Sequence, residues 1–486
     1  METNTIISRE YDQLFIGGTW INPSTTAKTA VLSPHDQSVT GYTVLAAELD
    51  IDLAVSAARD AFDKGPWPKT SPEDRIAVIE NFNRIHSTYT AELAALTTAE
   101  NGAPIWFTGM LQEALTEQTN AYLRAARTFA WETQRPSATG GTNMIRREAV
   151  GVVAAIIPWN APQQSALVKI IPALLAGCTV VFKPTPATAL DGIALGELFR
   201  QAGLPEGALN IVPAEREVSA YLVSHPDVDK IAFTGSTRAG RQIAAIAGQQ
   251  MKRLSLELGG KSAAIILEDA DLAATVGMLK HLSFGNNGQS CVGQTRILAP
   301  KSRYEEISTA LAEMVAAIKV GNPTDPETFQ GPIFNQAQYE RVNSYLELGL
   351  QEGATVAAGG LGKPEGAEFE NGWYVKPTVF TNVSNDMRIA REEIFGPVIV
   401  VIPYETEADA VRIANDSPYG LSGSVWTASK EKGLEIARQI RTGIFSINGA
   451  QPGFDSPFGG YKQSGVGREF GTAGLEVFTE TKSIAM

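Results

Sequence analysis

From Ala149 onward the chain alternates short, unbroken apolar runs with helix-patterned stretches, and this alternation restricts the fold more than any other feature. Val152-Val153-Ala154-Ala155-Ile156-Ile157 contains no polar residue, as expected of a strand covered on both faces. A helical stretch from Gln164 to Leu175 follows, stopped by Gly177, and then a strand from Thr179 to Phe182 that ends at Lys183-Pro184. Helix Leu190 to Phe199, strand Asn210 to Val212, helix Glu217 to Ser224 and strand Lys230 to Phe233 continue the series. Repetition of this kind builds a parallel sheet with right-handed crossovers. Ligands of such sheets sit beyond the carboxyl ends of the strands. The positions to inspect are therefore Pro158-Trp159-Asn160, Lys183 to Pro186, and Thr234-Gly235-Ser236-Thr237. A second series opens near Ala263 and runs through Val398 to Ile402 and Gly443 to Asn448, which predicts a second α/β lobe.

The 486 residues leave room for about three lobes at roughly 150 residues each. Upstream of the sheet the pattern is helical through about Thr133, with Ser71-Pro72 as a helix start. A net charge of −13 repels phosphate backbones and argues against nucleic-acid binding. The two cysteines, Cys178 and Cys291, form no disulfide framework and read as reduced thiols of a cytoplasmic protein. Met1 to Glu10 has no apolar core and reads as no secretory signal. The longest apolar runs are too short to span a membrane. The four histidines, 35, 86, 225 and 281, are scattered, so no metal site is expected.

Gly288-Gln289-Ser290-Cys291 is the sharpest local feature. A cysteine after glycine and polar residues lies on a turn where its thiol can be exposed and ionise. Cys178, in Leu174-Leu175-Ala176-Gly177-Cys178, fits the commoner description of an inert buried thiol. Glu257 stands between leucines and before Gly259-Gly260. It is either an exposed alternation position or a carboxyl whose pKa apolar surroundings raise into the range of a general base. Asn160 is a turn former or an amide donor to a developing oxyanion. Gly235-Ser236 follows a strand and precedes a helix, where N–H groups can receive a phosphate.

Six motifs stand in order along the chain: Pro158-Trp159-Asn160, Phe233-Thr234-Gly235-Ser236, Glu257-Leu258-Gly259-Gly260-Lys261, Gly288-Gln289-Ser290-Cys291, Glu393-Ile394-Phe395-Gly396-Pro397 and Pro457-Phe458-Gly459-Gly460. In this order they resemble the aldehyde dehydrogenase superfamily over nearly the whole length. The resemblance implies oxidation of an aldehyde to its carboxylic acid with reduction of NAD(P). Cys291 is the implied nucleophile, forming a thiohemiacetal and then a thioester. Asn160 is the implied oxyanion donor, and Glu257 the base that activates water. Trp159, Lys183, Gly235, Ser236, Glu393 and Phe395 are implied at the cofactor. Many relatives carry a glutamate where this chain has Pro186, which leaves NAD the favoured cofactor and NADP an alternative.

Ala161, Ser165 and Val168 stand where many relatives have bulkier side chains. That implies a roomy pocket for medium or long apolar or aromatic aldehydes, with Phe454 and Trp106 in its walls. Arg296 or Arg441 is available for a substrate carboxylate only if loops supply it. The implied architecture is a Rossmann-like NAD-binding domain (8–130 and 150–258), an α/β catalytic domain (259–463) and a small β oligomerisation arm (131–149 and 477–486). Such an arm implies a homodimer or homotetramer. The rival readings are a non-catalytic structural relative and a cysteine esterase on the same fold.

Overall fold

The computed structural model describes residues 6–486. Residues 1–5, part of the N-terminal stretch read above as no secretory signal, lie outside them. The expected first strand is Val152–Ile156, buried at every position. It is followed by Thr179–Lys183, Leu209–Ile211, Lys230–Thr234 and Arg253–Glu257, all paired in parallel. Their spatial order is Arg253–Glu257, Lys230–Thr234, Val152–Ile156, Thr179–Lys183, Leu209–Ile211. The chain thus builds outward to one side of Val152–Ile156 and then returns to the other. The gap between the ends of Val152–Ile156 and Lys230–Thr234 is therefore the switch point at which such sheets bind ligands.

The helix Pro162–Ala176 leaves that gap directly. Pro162 occupies its first turn, where the missing N–H has no intrahelical partner to lose. Gly177, at φ 92°, ends it in the left-handed region that glycine accepts without strain. Almost all of this helix is buried; Ala161, Gln164 and Ser165 are its partly exposed positions and share one face.

Arg253–Glu257 passes through Leu258 to Lys261 into Ser262–Ile266, the first strand of a second sheet. That seven-stranded sheet continues on one side through Gln294–Pro300, Val398–Tyr404, Thr378–Thr381 and Thr355–Ala358, and on the other through Gly423–Trp426 and Ser446–Ile447. Glu257 therefore sits at the seam between the two sheets. A third sheet joins Thr479–Ala485, Thr142–Ala149 and Glu132–Pro136, all antiparallel. The helical pattern expected through Thr133 stops at Thr128, because Glu132–Pro136 pairs with Thr142–Ala149 and tertiary pairing overrides local pattern. No helix among the described residues is long and apolar enough to cross a membrane.

Candidate active site

Strand pairing sets Glu257 beside Thr234. Glu257 is 4 % exposed, and neither of its carboxyl oxygens has a hydrogen-bond partner among the described residues. Burial, and then the nearby Glu469, push its pKa well above the ordinary carboxyl range, against the pull of Lys169 and Arg468. Gly459 leaves room for it: a Cβ there would lie 2.6 Å from Glu257 Oε1, and its φ of 145° disfavours any side chain. Gly459→Ala should displace the carboxyl and lower the steady-state rate at least about tenfold, measured with the variant's melting temperature as a fold control.

The two glycines after Glu257 draw the other halves of the site together. A Cβ on Gly259 would lie 2.2 Å from Glu393 Oε2, and one on Gly260 would lie 2.7 Å from the Cys291 carbonyl oxygen. The Gly260 N–H donates to Glu393 Oε1 at 2.9 Å. Only bare backbone at both positions lets the Glu393 loop and the Cys291 turn pack this closely.

Cys291 follows a turn built by asparagines. Asn286 and Asn287 adopt left-handed backbone, φ 54° and 58°, which asparagine tolerates better than most residues. Asn286 Nδ2 donates to the carbonyls of Asn160 (2.8 Å) and Gln289 (3.2 Å), and Asn160 Nδ2 donates to Gln289 O at 3.1 Å. Asn287 Nδ2 donates to Gly102 O and Pro332 O, anchoring the turn to two further segments. The Cys291 thiol is half-buried; burial first, and then Glu393, Glu257 and Glu469, push its pKa up to about 12. Cys178 matches its bland reading: it is fully buried, donates to Phe478 O at 3.4 Å and has its pKa pushed up to about 11 by burial.

On the switch-point side Trp159 stacks on Phe334, with centroids 4.2 Å apart and planes at 7°, and meets Phe395 edge-on at 5.5 Å. Phe395 holds a left-handed φ of 63°. Ser236 caps the helix Thr237–Gln249 through its Oγ, which accepts from Ala239 N at 3.3 Å. Gly235 lies against the Phe233 ring, which a Cβ would approach to 2.4 Å. Lys183 ends its strand buried, and burial lowers its pKa to about 8 against the opposing charge of Glu215. Pro186 is buried in the short turn Pro186–Thr188. A helix N-terminus and a buried ammonium at the carboxyl edge of one sheet, with Trp159 stacked beside them, fit a dinucleotide.

Among the pocket candidates, Ala161 and Ser165 share the partly open face of their helix, whereas Val168 is 2 % exposed and packs in the core. Phe454 and Phe458 each meet Phe470 edge-on, at 5.1 and 5.5 Å. Trp106 stacks on Phe329 and donates to its carbonyl. Arg296 is 2 % exposed and spends its guanidinium on Lys261 O, Ile413 O, Ala414 O and Asn385, so it is unavailable to a substrate. Sequence reasoning missed Lys169, whose Nζ donates to Glu469 Oε1 and to Thr234 Oγ1, both at 2.6 Å, behind Glu257. Its signal was a lone lysine in the otherwise apolar run Ala166 to Ala176. Phe334 and Glu469 carried no comparable signal.

The family model described as "Aldehyde dehydrogenase family" matches residues 20–484. A geranial dehydrogenase of Castellaniella defragrans is 44% identical over 476 residues, covering 98% of each chain. An aldehyde dehydrogenase of Mycobacterium tuberculosis in complex with NAD+ superposes with a TM-score of 0.96 at 48% identity, covering 99% of both chains. A mutant aldehyde dehydrogenase of Pseudomonas syringae in complex with NAD+ and octanal superposes at 0.94 with 39% identity, covering 98% of this chain and 96% of that one. With the family model and these relatives matching nearly its whole length, the chain belongs to the aldehyde dehydrogenase family.

Proposed function

We propose that this aldehyde dehydrogenase uses NAD to oxidise medium and long apolar or aromatic aldehydes, with Cys291 as nucleophile, Asn160 as oxyanion donor and Glu257 as the base that activates water. The packing of Glu393 and the Cys291 turn on Gly259-Gly260, with the buried Glu257 carboxyl against Gly459, carries this reading. The Cys291 thiol loses its proton to solvent as its sulfur adds to the aldehyde carbon, and the Asn160 amide with the Cys291 N–H receives the oxyanion. Bound NAD supplies a hydride acceptor. Lys183, Ser236, Glu393, Trp159 and Phe395 would hold it, at the positions described above. The thioester left on Cys291 is then opened by water that gives its proton to Glu257.

The small side chains of Ala161 and Ser165 and the aromatic group of Phe454, Phe458 and Phe470 support the apolar substrate class. The relatives named for geranial and bound to octanal support it too. The three-stranded sheet of 131–149 and 477–486, with its outward-facing tail strand, supports an arm between subunits and a homodimer or homotetramer. Division of the rest into 8–130 with 150–258, and 259–463, follows the two sheets. Neither a structural relative nor an esterase accounts for the residues on the dinucleotide side.

The test is the initial rate of nicotinamide reduction across short, long, terpenoid and aromatic aldehydes, with NAD and NADP in parallel. Faster turnover of octanal and geranial than of acetaldehyde, with NAD at least about tenfold better than NADP, is the expected result. Preference for betaine aldehyde or succinic semialdehyde would sink the pocket reading, and rates confined to NADP the cofactor reading.

A further inference from the structure

We infer that the Tyr122 hydroxyl is a positioning residue for water activation: it clamps together the two backbone segments that carry Lys169 and Glu469, the buried ion pair behind Glu257. This rests on the reading of Glu257 as the water-activating base. Tyr122 lies on the helix Ile105–Thr128 and is 1 % exposed. Its hydroxyl donates to Val168 O at 3.2 Å and accepts from Phe470 N at 2.8 Å. Val168 immediately precedes Lys169, and Phe470 immediately follows Glu469. One hydroxyl therefore ties the neighbours of both partners in the 2.6 Å Lys169–Glu469 contact.

Both tied groups need an outside partner. The helical partner of Val168 O would be the N–H of residue 172, and that residue is Pro172, which has none. Phe470 stands at φ 60°, ψ 157°, a region that glycine favours and that strains other residues. The Tyr122 hydroxyl answers the orphaned carbonyl and fixes the strained N–H at once. The same segment is held on its other side by the Phe458 and Glu469 backbones, which exchange hydrogen bonds at 2.8 and 2.7 Å. Burial, and then Glu469 and Glu257, keep the phenol protonated by raising its pKa, so it remains a donor to Val168 O. Glu257 is faced by Glu469, Lys169 and Arg468, with Tyr122 beyond them and Cys291 across the site.

The test is Tyr122→Phe, assayed with NAD+ and octanal by rapid mixing. The first-turnover burst should keep its amplitude and stay within about twofold of its rate, while the steady-state rate falls about tenfold. The pH limb of the steady-state rate should move by about half a unit. Combined with Glu469→Gln, Tyr122→Phe should add nothing further, because both act through one contact. Should Tyr122→Phe fold poorly, Pro172→Ala in the same chain returns a helical N–H to Val168 O while leaving Phe470 N untied, and the same kinetics are read there. A wild-type steady-state rate and pH limb, or additive losses in the double variant, overturn the inference. Glu257→Gln run alongside separates the two levels. If it turns over normally, the underlying reading of Glu257 fails; if it collapses while Tyr122→Phe behaves as wild type, the clamp alone fails.

Discussion

Cys291→Ala will lower NAD-dependent aldehyde oxidation by at least about 10³-fold, the scale of removing a nucleophile, and will leave the fold intact. The thiol is half-buried in a turn held by Asn286, Asn287 and Asn160 through other atoms. Its removal therefore opens no core cavity, and the stability change should stay within about 1 kcal/mol. The wild-type enzyme adds a pH signature. Burial first, and then Glu393, Glu257 and Glu469, push the thiol pKa up to about 12, so the neutral thiol is the resting form at pH 7. A raised thiol pKa means that the nucleophilic form grows as pH rises. The burst rate at saturating NAD should therefore increase across pH 6–9. Initial rates, thermal melts and rapid-mixing bursts check these points together. Retention of more than about a tenth of wild-type activity by the alanine variant would contradict the assignment.

Glu257→Gln will separate the two halves of the reaction. One equivalent of reduced nicotinamide per subunit should still form in a burst, while the steady-state rate falls by about 10²–10⁴. Glutamine keeps the side-chain shape, and the carboxyl it replaces is held toward its neutral form by burial and Glu469, so little packing is disturbed. The carboxyl becomes a base only above its raised pKa. Wild-type turnover should accordingly rise with pH through that pKa, and the variant should lose that limb. Rapid mixing with octanal, with the acyl-enzyme followed by mass spectrometry, gives the direct readout. Loss of the burst itself would assign Glu257 to activation of Cys291 rather than of water.

Much of this site was legible in the chain because its signals are local. The apolar run at Val152 could be covered only in a parallel sheet, and the residues just past its strand ends, Trp159, Asn160 and Ser236, do lie at the carboxyl edge. The glycines of Leu258-Gly259-Gly260 stood out because bare backbone permits close approach, and Pro457-Phe458-Gly459-Gly460 stood out as part of the family resemblance. The structure supplies what approaches: Glu393, the Cys291 carbonyl and the Glu257 carboxyl. Val168 shows the limit of position matching: named for the pocket by its match to bulkier residues of relatives, it packs among core residues. Arg296 shows the same for charge. A basic residue open to two readings is satisfied wholly by backbone carbonyls and an asparagine.

The sequence by itself determined the order of strands and helices and the turn at Asn286-Asn287-Gly288, and it singled out Cys291 and Glu257 as candidates, because periodicity, turn chemistry and residue type act over a few neighbouring positions. Only the tertiary structure decided what surrounds the base. Lys169 meets Glu469 across 300 residues of chain, and Tyr122 meets Phe470 across 348. Contacts at such separation leave no periodic trace in a sequence. Their existence depends on sheet order and on the seam between two lobes, where burial raises the pKa of Glu257 and brings the Tyr122 hydroxyl between two distant backbone segments.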